Sequence, residues 1–321
     1  MDNPQNSTSG EIATSDPRIS QRNLFSGLMA GIATAVAFGL GGFYLIYDES
    51  GSMGAVLFLV LPIATGFATA LVARRRNVAI ASLIIGLILC SSFLVIFGFE
   101  GFVCVLMSAP LIAAGLAIGA VIGSLVRRHV IDRSSRPRML SLLLLLVLPL
   151  FLMGANSIEE PTRRTSRAET FTSVLVVDAS PEELWNQIKT MDRVTAHKGL
   201  LMQIGLPVPV SCSIDREGVG GTRTCYFESG YIEERITEWD PPRSMKLDVT
   251  EWNVPGRPWL DFKDAGYEIR REGDRTNMVR TTTIVSRLLP VWYWRRFEKI
   301  GVETEHEYLF ESVRSKLKRK Q

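Results

Sequence analysis

The 321-residue sequence predicts an α+β protein in two parts: five apolar helices, then a curved antiparallel sheet wrapped around a long C-terminal helix. Three observations carry this reading. The first half holds five apolar runs without a charged residue, near the roughly 20-residue length that a bilayer core demands. The second half alternates short Val- and Thr-rich stretches with Gly and Pro turns. The chain then closes on 289–319, where steps of about 100° per residue gather Val302, Leu309, Phe310, Val313 and Leu317 on one face, with His306 near its centre. Tyr293, Trp294, Phe297 and Ile300 point to the opposite side, so this helix needs two surfaces to pack on, and a bend or break is expected at Gly301.

Taken in order, 1–23 is a polar tail rich in Ser, Asn and Asp, expected to be disordered. The five runs are 24–47, 54–73, 78–99, 102–126 and 139–155, together a transmembrane domain over 24–155. The fifth is the shortest and the weak point of the count. Arginines orient the bundle: Arg18 and Arg22 precede the first run, Arg74, Arg75 and Arg76 follow the second, and Arg127, Arg128, Arg133, Arg136 and Arg138 follow the fourth. The alternate loops carry Asp48, Glu49 and Glu100. The expected layout is a plasma membrane protein, of a bacterial inner membrane, with a cytoplasmic N-terminus and everything after Ala155 periplasmic or extracellular. Gly27 and Gly31, then Gly115, Gly119 and Gly123, form small-residue ridges suited to close helix packing or to a homo-oligomer. The runs hold no ionisable group of the kind that marks an ion or substrate path, which disfavours a transporter or channel.

Charge excludes another class. Residues 1–155 contain 10 Lys and Arg against 7 Asp and Glu, and 156–321 contain 26 against 26, so the second half has no basic excess. It also lacks zinc-finger or helix-turn-helix spacing, and no nucleic-acid partner is expected.

A polar stretch at 156–168 reads as a linker, followed by a domain over 169–321. It opens with a strand at 169–178. Ser180-Pro181-Glu182-Glu183 then starts a helix, with Ser180 as N-cap, proline in the first turn and Glu183 completing a capping box. A short second helix is expected at 192–198, and strands at 208–214, 222–229, 231–239, 244–252, 265–272 and 278–287. Gly218, Gly220 and Gly221 mark a hairpin turn. They are not a phosphate loop, because no Gly-Lys-Ser/Thr follows and no helix opens there.

In this element order, the opening VDASPEELWNQI, the strand-turn-strand ITEWDPPRSMKLDV and the closing PVWYWRRFEKIGVETEHEYLFESV are similar to the polyketide cyclase and START-related superfamily, the helix-grip fold shared with the major birch-pollen allergen. The resemblance covers about 171–318. It implies a sheet curled around the terminal helix and a hydrophobic cavity between them for lipids, sterols, polyketides or other apolar ligands. A multi-span anchor departs from the superfamily's usual pattern.

Several residues are candidates for the chemistry. If the hairpin turns between Gly218 and Val219, Cys212 and Cys225 stand opposite each other and read as a disulfide; a one-residue shift in register puts them on opposite faces as two reduced core cysteines. His306 is the candidate general acid or base, against the plainer reading of a hydrogen-bonded core histidine. Glu234 alternates with Ile232 and Ile236, and Glu251 with Met245, Leu247 and Val249, which makes both candidate inward carboxylates. Trp185, Tyr226, Glu234, Trp239, Trp252, Tyr267, His306 and Phe310 are the candidate ligand-binding residues. No metal set and no cofactor motif is expected. The leading expectation is an extracytoplasmic binding domain for a lipid or hydrophobic small molecule beside the bilayer. The alternatives are a cyclase, dehydratase or hydrolase using His306, and a structural or interaction membrane protein without a ligand.

Overall fold

The computed structural model describes residues 17–47, 53–73, 75–163, 165–254 and 259–319. Most of the polar tail, the loop acids Asp48 and Glu49, and Arg74 lie outside them. The helical half comprises α1 (Pro17–Ile46), α2 (Val56–Val72), α3 (Arg76–Ile96), α4 (Phe102–Val126) and α5 (Pro137–Arg163). The α1 helix starts at Pro17, inside the stretch expected to be disordered.

Four helices among the described residues are long and apolar enough to span a membrane, where the sequence predicted five. The one that falls short is α2, and the fifth run, expected to be weakest, extends to 26 residues as Pro137–Thr162. Helix α2 is the shortest of the five, Val56–Val72, and opens with a π-helical turn over Val56–Val60 ahead of Pro62. The helix is also enclosed by its neighbours, with Ala64, Thr65, Ala68 and Thr69 all buried. Small residues make that enclosure possible: a Cβ on Gly119 of α4 would lie 2.0 Å from the Ile63 carbonyl oxygen of α2.

These close approaches also fix the directions of the helices. Gly31 lies against Ser82 and Gly39 against Cys90, so α1 and α3 run parallel. Gly115 lies against Pro62 and Gly123 against Phe67, so α2 and α4 run parallel. Arg127 donates to the Leu71 carbonyl, tying the end of α4 to the end of α2. At the opposite end the rings of Phe43 and Tyr47 meet Phe99 edge-on. There too the Glu159 carboxylate accepts the amides of Ala55 and Val56 and caps the start of α2, where the helix dipole favours an anion. The expected linker at 156–168 is therefore mostly helix, since α5 continues through Arg163.

The second half is a seven-stranded antiparallel sheet in the order β1-β7-β6-β5-β4-β3-β2. Its strands are β1 (Arg167–Val177), β2 (Pro209–Ile214), β3 (Thr222–Phe227), β4 (Gly230–Asp240), β5 (Ser244–Trp252), β6 (Leu260–Glu272) and β7 (Arg275–Ser286). Helix α6 (Pro181–Ile188) starts on the predicted capping box: the Glu183 amide donates to Ser180 Oγ and the Ser180 amide to the Glu183 carboxylate. The expected helix at 192–198 is absent, and one turn, α7 (Leu200–Gln203), forms instead. Cys212 and Cys225 are directly opposed in the β2–β3 ladder and are joined as a disulfide.

Helix α8 (Val291–Lys318) runs unbroken through Gly301. Its two apolar faces nevertheless find two surfaces. Leu309, Phe310, Val313 and Leu317 join the core of the sheet with Leu184, Ile188, Met245 and Leu247. Trp294, flanked by Tyr293 and Phe297, joins Phe58, Leu61 and Leu152 of the helical half. The backbone of Met53 pairs with Arg287 and Leu289, and the Tyr293 hydroxyl donates to the Met107 carbonyl. The sheet domain thus sits at the end of the bundle where α1 ends.

Candidate functional site

Between the inner face of the sheet and α8 lies a cavity of about 210 Å³. Trp294, Phe297, Gly301, Val302, Glu305 and Leu309 of α8 line it. At 1.5 Å rise per residue, the cavity follows the helix for about 22 Å. Phe227, Ile232, Val249, Trp252, Phe262 and Ile284 supply apolar side chains from five strands. Val103, Cys104 and Met107 of α4 belong to the same wall, so the helical half helps to enclose the site.

Two arginines of the cavity flank Tyr267, while the carboxylates Asp264 and Glu298 also belong to its lining. Arg223 and Glu234 are cross-strand partners in β3 and β4, with Nη1 donating to the carboxylate at 2.7 Å. Arg280 faces Tyr267 across β6 and β7 and bonds Glu305 of α8 at 2.9 Å. The two guanidinium carbons lie 5.7 and 5.4 Å from the Tyr267 ring centroid. Arg223 is 2% exposed and Arg280 8%. Among the described residues, Nε of Arg223 and both Nε and Nη1 of Arg280 find no hydrogen-bond partner. Burial pushes the Glu305 carboxyl above the usual carboxylate range, against the pull of Arg280. Among the described residues, no three His, Cys, Asp or Glu side chains gather as a ligand set for a metal ion.

His306 neighbours this cluster in sequence but is not part of the cavity lining. It is fully buried, with Nδ1 2.9 Å from Ser173 Oγ and Nε2 2.8 Å from Thr282 Oγ1. Burial, with Arg280 nearby, lowers its pKa from 6.5 to about 2. A neutral imidazole with both nitrogens engaged is placed to lock α8 onto β1 and β7, behind the cavity-lining Thr282. The unfolded chain takes up this proton near pH 6.5 and the folded one does not until about 2. Stability should therefore be unaffected by His306 above pH 6.5, and fall by about 1.4 kcal/mol per pH unit below it. Urea unfolding of the native protein and of His306→Gln at pH 7, 6 and 5 checks this: the variant should lack that part of the slope.

The other candidates divide. Glu234, Trp252 and Tyr267 line the cavity. Trp185 and Trp239 meet edge-on at 5.0 Å in the sheet core, and Phe310 is buried in the same core. Tyr226 is 49% exposed, on the outer face of β3, and does not face the cavity. Glu251 is exposed as well and accepts a hydrogen bond from the Tyr231 hydroxyl, because register shifts in the β4–β5 ladder re-aim the end of β5. Sequence reasoning missed Arg223, Arg280, Glu305 and Trp259. Strand alternation carried a signal for the first, since Arg223 shares a face with Cys225.

A curled antiparallel sheet, a long C-terminal helix across its inner face and a cavity between them define a helix-grip domain, here joined to a bundle of apolar helices. No protein-family model matches the chain, and no curated protein matches it. Solved structures similar to it include the Aha1 dimer from Colwellia psychrerythraea, at 13% identity over 46% of this chain and 96% of that one, with a TM-score of 0.31. Ara h 8.0201 is similar at 12% identity over 46% and 97%, with a TM-score of 0.32. Protein MLL2253 from Mesorhizobium loti is similar at 17% over 48% and 99%, with a TM-score of 0.34. The assignment to the helix-grip class rests on the strand order and on α8, not on these likenesses.

Proposed function

We propose that this chain is a membrane protein whose helix-grip domain holds an elongated amphiphile beside the bilayer, its apolar tail along α8 and an anionic head at Arg223 and Arg280. The observation that carries the reading is the cavity itself, apolar along most of its walls and furnished with two buried guanidinium groups whose N–H donors are in part unpartnered among the described residues. Such donors cost about 1–3 kcal/mol each when left unsatisfied. A carboxylate or phosphate would satisfy them with paired, charge-assisted hydrogen bonds. Tail burial adds about 25 cal/mol per Å² before ordering costs.

The membrane setting is supported by the outward face of α5, where Leu142, Leu146, Leu150 and Phe151 are exposed and have no protein to pack on. Arg75, Arg76, Arg128, Arg133, Arg136 and Arg138 gather at the end of the bundle where α1 starts, and the grip domain sits at the other. By the positive-inside rule the grip domain is extracytoplasmic, where the Cys212–Cys225 disulfide is chemically at home. A reporter active only in the cytoplasm, fused after Gln321, should be silent; activity there reverses the orientation.

The binding test uses the full chain in detergent, stripped by organic extraction and weighed by native mass spectrometry with palmitate, its alcohol and the parent alkane. Palmitate should bind about tenfold more tightly than the alcohol, the equivalent of a charged hydrogen bond of ~1.5 kcal/mol. No adduct with any of the three overturns the reading.

A further inference from the structure

A second cavity, of about 130 Å³, lies within the helical bundle. Its walls come mainly from α1, α2, α3 and α4, with Ser91 of α3 and Ser108 of α4 among the small residues that line it. Glu100 is the one charged residue among its lining residues. Four residues, Cys104, Trp259, Leu288 and Trp294, line this cavity and the helix-grip cavity alike. The two spaces are therefore neighbours that share a partition of apolar side chains.

We infer that the two cavities form one conduit, through which the amphiphile enters the grip domain from among the membrane helices and not from water. This rests on the reading of the grip cavity as a binding site. Three features support the route. The grip cavity draws part of its wall from α4, so its bundle-facing side borders protein and not solvent. An apolar tail moving through the bundle stays out of water along its path, which avoids the cost of hydrating it. The partition is made of four residues, two of them tryptophans, so that rearranging a few side chains would join the two spaces without the helices separating. The polar cluster lies beyond this partition: Glu305, which holds Arg280, is eleven residues along α8 from Trp294, about 16 Å. The tail need not lead, since a palmitate-length chain spans the distance from the partition to the guanidinium groups.

The test uses the full chain in phosphatidylcholine vesicles with diazirine-bearing palmitate, photolysed at intervals and mapped by peptide mass analysis. In the native protein, label is expected on β6 around Phe262 and on the cavity-lining Leu87, Leu94 and Cys104. Ser91→Phe on α3 and Ser108→Phe on α4 fill the bundle cavity from two sides. Each should slow labelling of the Phe262 peptide about tenfold while leaving its final extent unchanged. If both variants load the grip domain at the native rate, the conduit is overturned while the binding site stands. If the native Phe262 peptide never labels, the binding site itself fails and the conduit with it. Should a filled variant unfold, the native protein decides alone: bundle label confined to the outward-facing Ile88 and Leu89, with none on Leu87, Leu94 or Cys104, rejects the route.

Discussion

Glu234→Leu, with Arg223 left in place, should destabilise the grip domain by about 3–5 kcal/mol, the cost of stranding a buried charge. Arg223 is almost wholly enclosed, and its Nη2 donates to the Ile188 carbonyl at a long 3.4 Å. The double variant Arg223→Met/Glu234→Leu should recover most of the loss, because two apolar side chains of similar volume remove the desolvation cost together. Denaturant unfolding of the single and double variants measures both effects, and the double-mutant cycle gives the coupling. A loss below about 1 kcal/mol in the single variant would mean that water reaches the pair, as at an exposed ion pair. The same cycle bears on function. The double variant should keep its affinity for the alkane and lose most of its preference for palmitate over the alcohol, because one of the two guanidinium groups is gone.

The pair also shows how far the sequence could be read. Ser180, Pro181 and Glu183 specify a helix start through contacts within four residues, and the structure has that start. A hairpin turning between Gly218 and Val219 puts Cys212 opposite Cys225, and strand alternation turns Glu234 inward, because turn position and the side-chain period of two are both local. Alternation turns Arg223 inward by the same rule, yet a lone arginine on a strand reads as solvated until its partner is known. Its partner is on the next strand, and Tyr267 and Arg280 arrive from β6 and β7. The error over α2 has a similar origin. Its apolar run is as uniform as the others, and only the packing of Gly119 against Ile63 reveals a short helix enclosed by the bundle. His306 was placed on a buried face, but Ser173 and Thr282, which hold its two nitrogens, are distant in sequence. Glu251 was misplaced because a bulge does not announce itself in residue type.

Trp294→Ala should cost about 3–5 kcal/mol, and the loss should fall on the junction between the two halves more than on the sheet. Trp294 is 4% exposed, its ring is 4.7 Å from that of Phe58, and its indole N–H donates to the Leu289 carbonyl at 3.2 Å. Truncation leaves a void beside Met53, Leu288 and Phe58, its neighbours in the same buried cluster. Hydrogen exchange distinguishes where the loss is felt. In Trp294→Ala the first turns of α8, through Phe297, should exchange faster while the amides of β4 to β7 keep their protection. Phe310→Ala, a truncation of comparable cost in the sheet core, should loosen the strands instead. If the first turns of α8 stay protected without Trp294, then the Met53 to Leu289 backbone pairing and the Tyr293 hydroxyl on Met107 are sufficient to hold the halves together. The tryptophan would then act mainly as the partition between the cavities, and its removal should speed the labelling of Phe262 without loosening the junction.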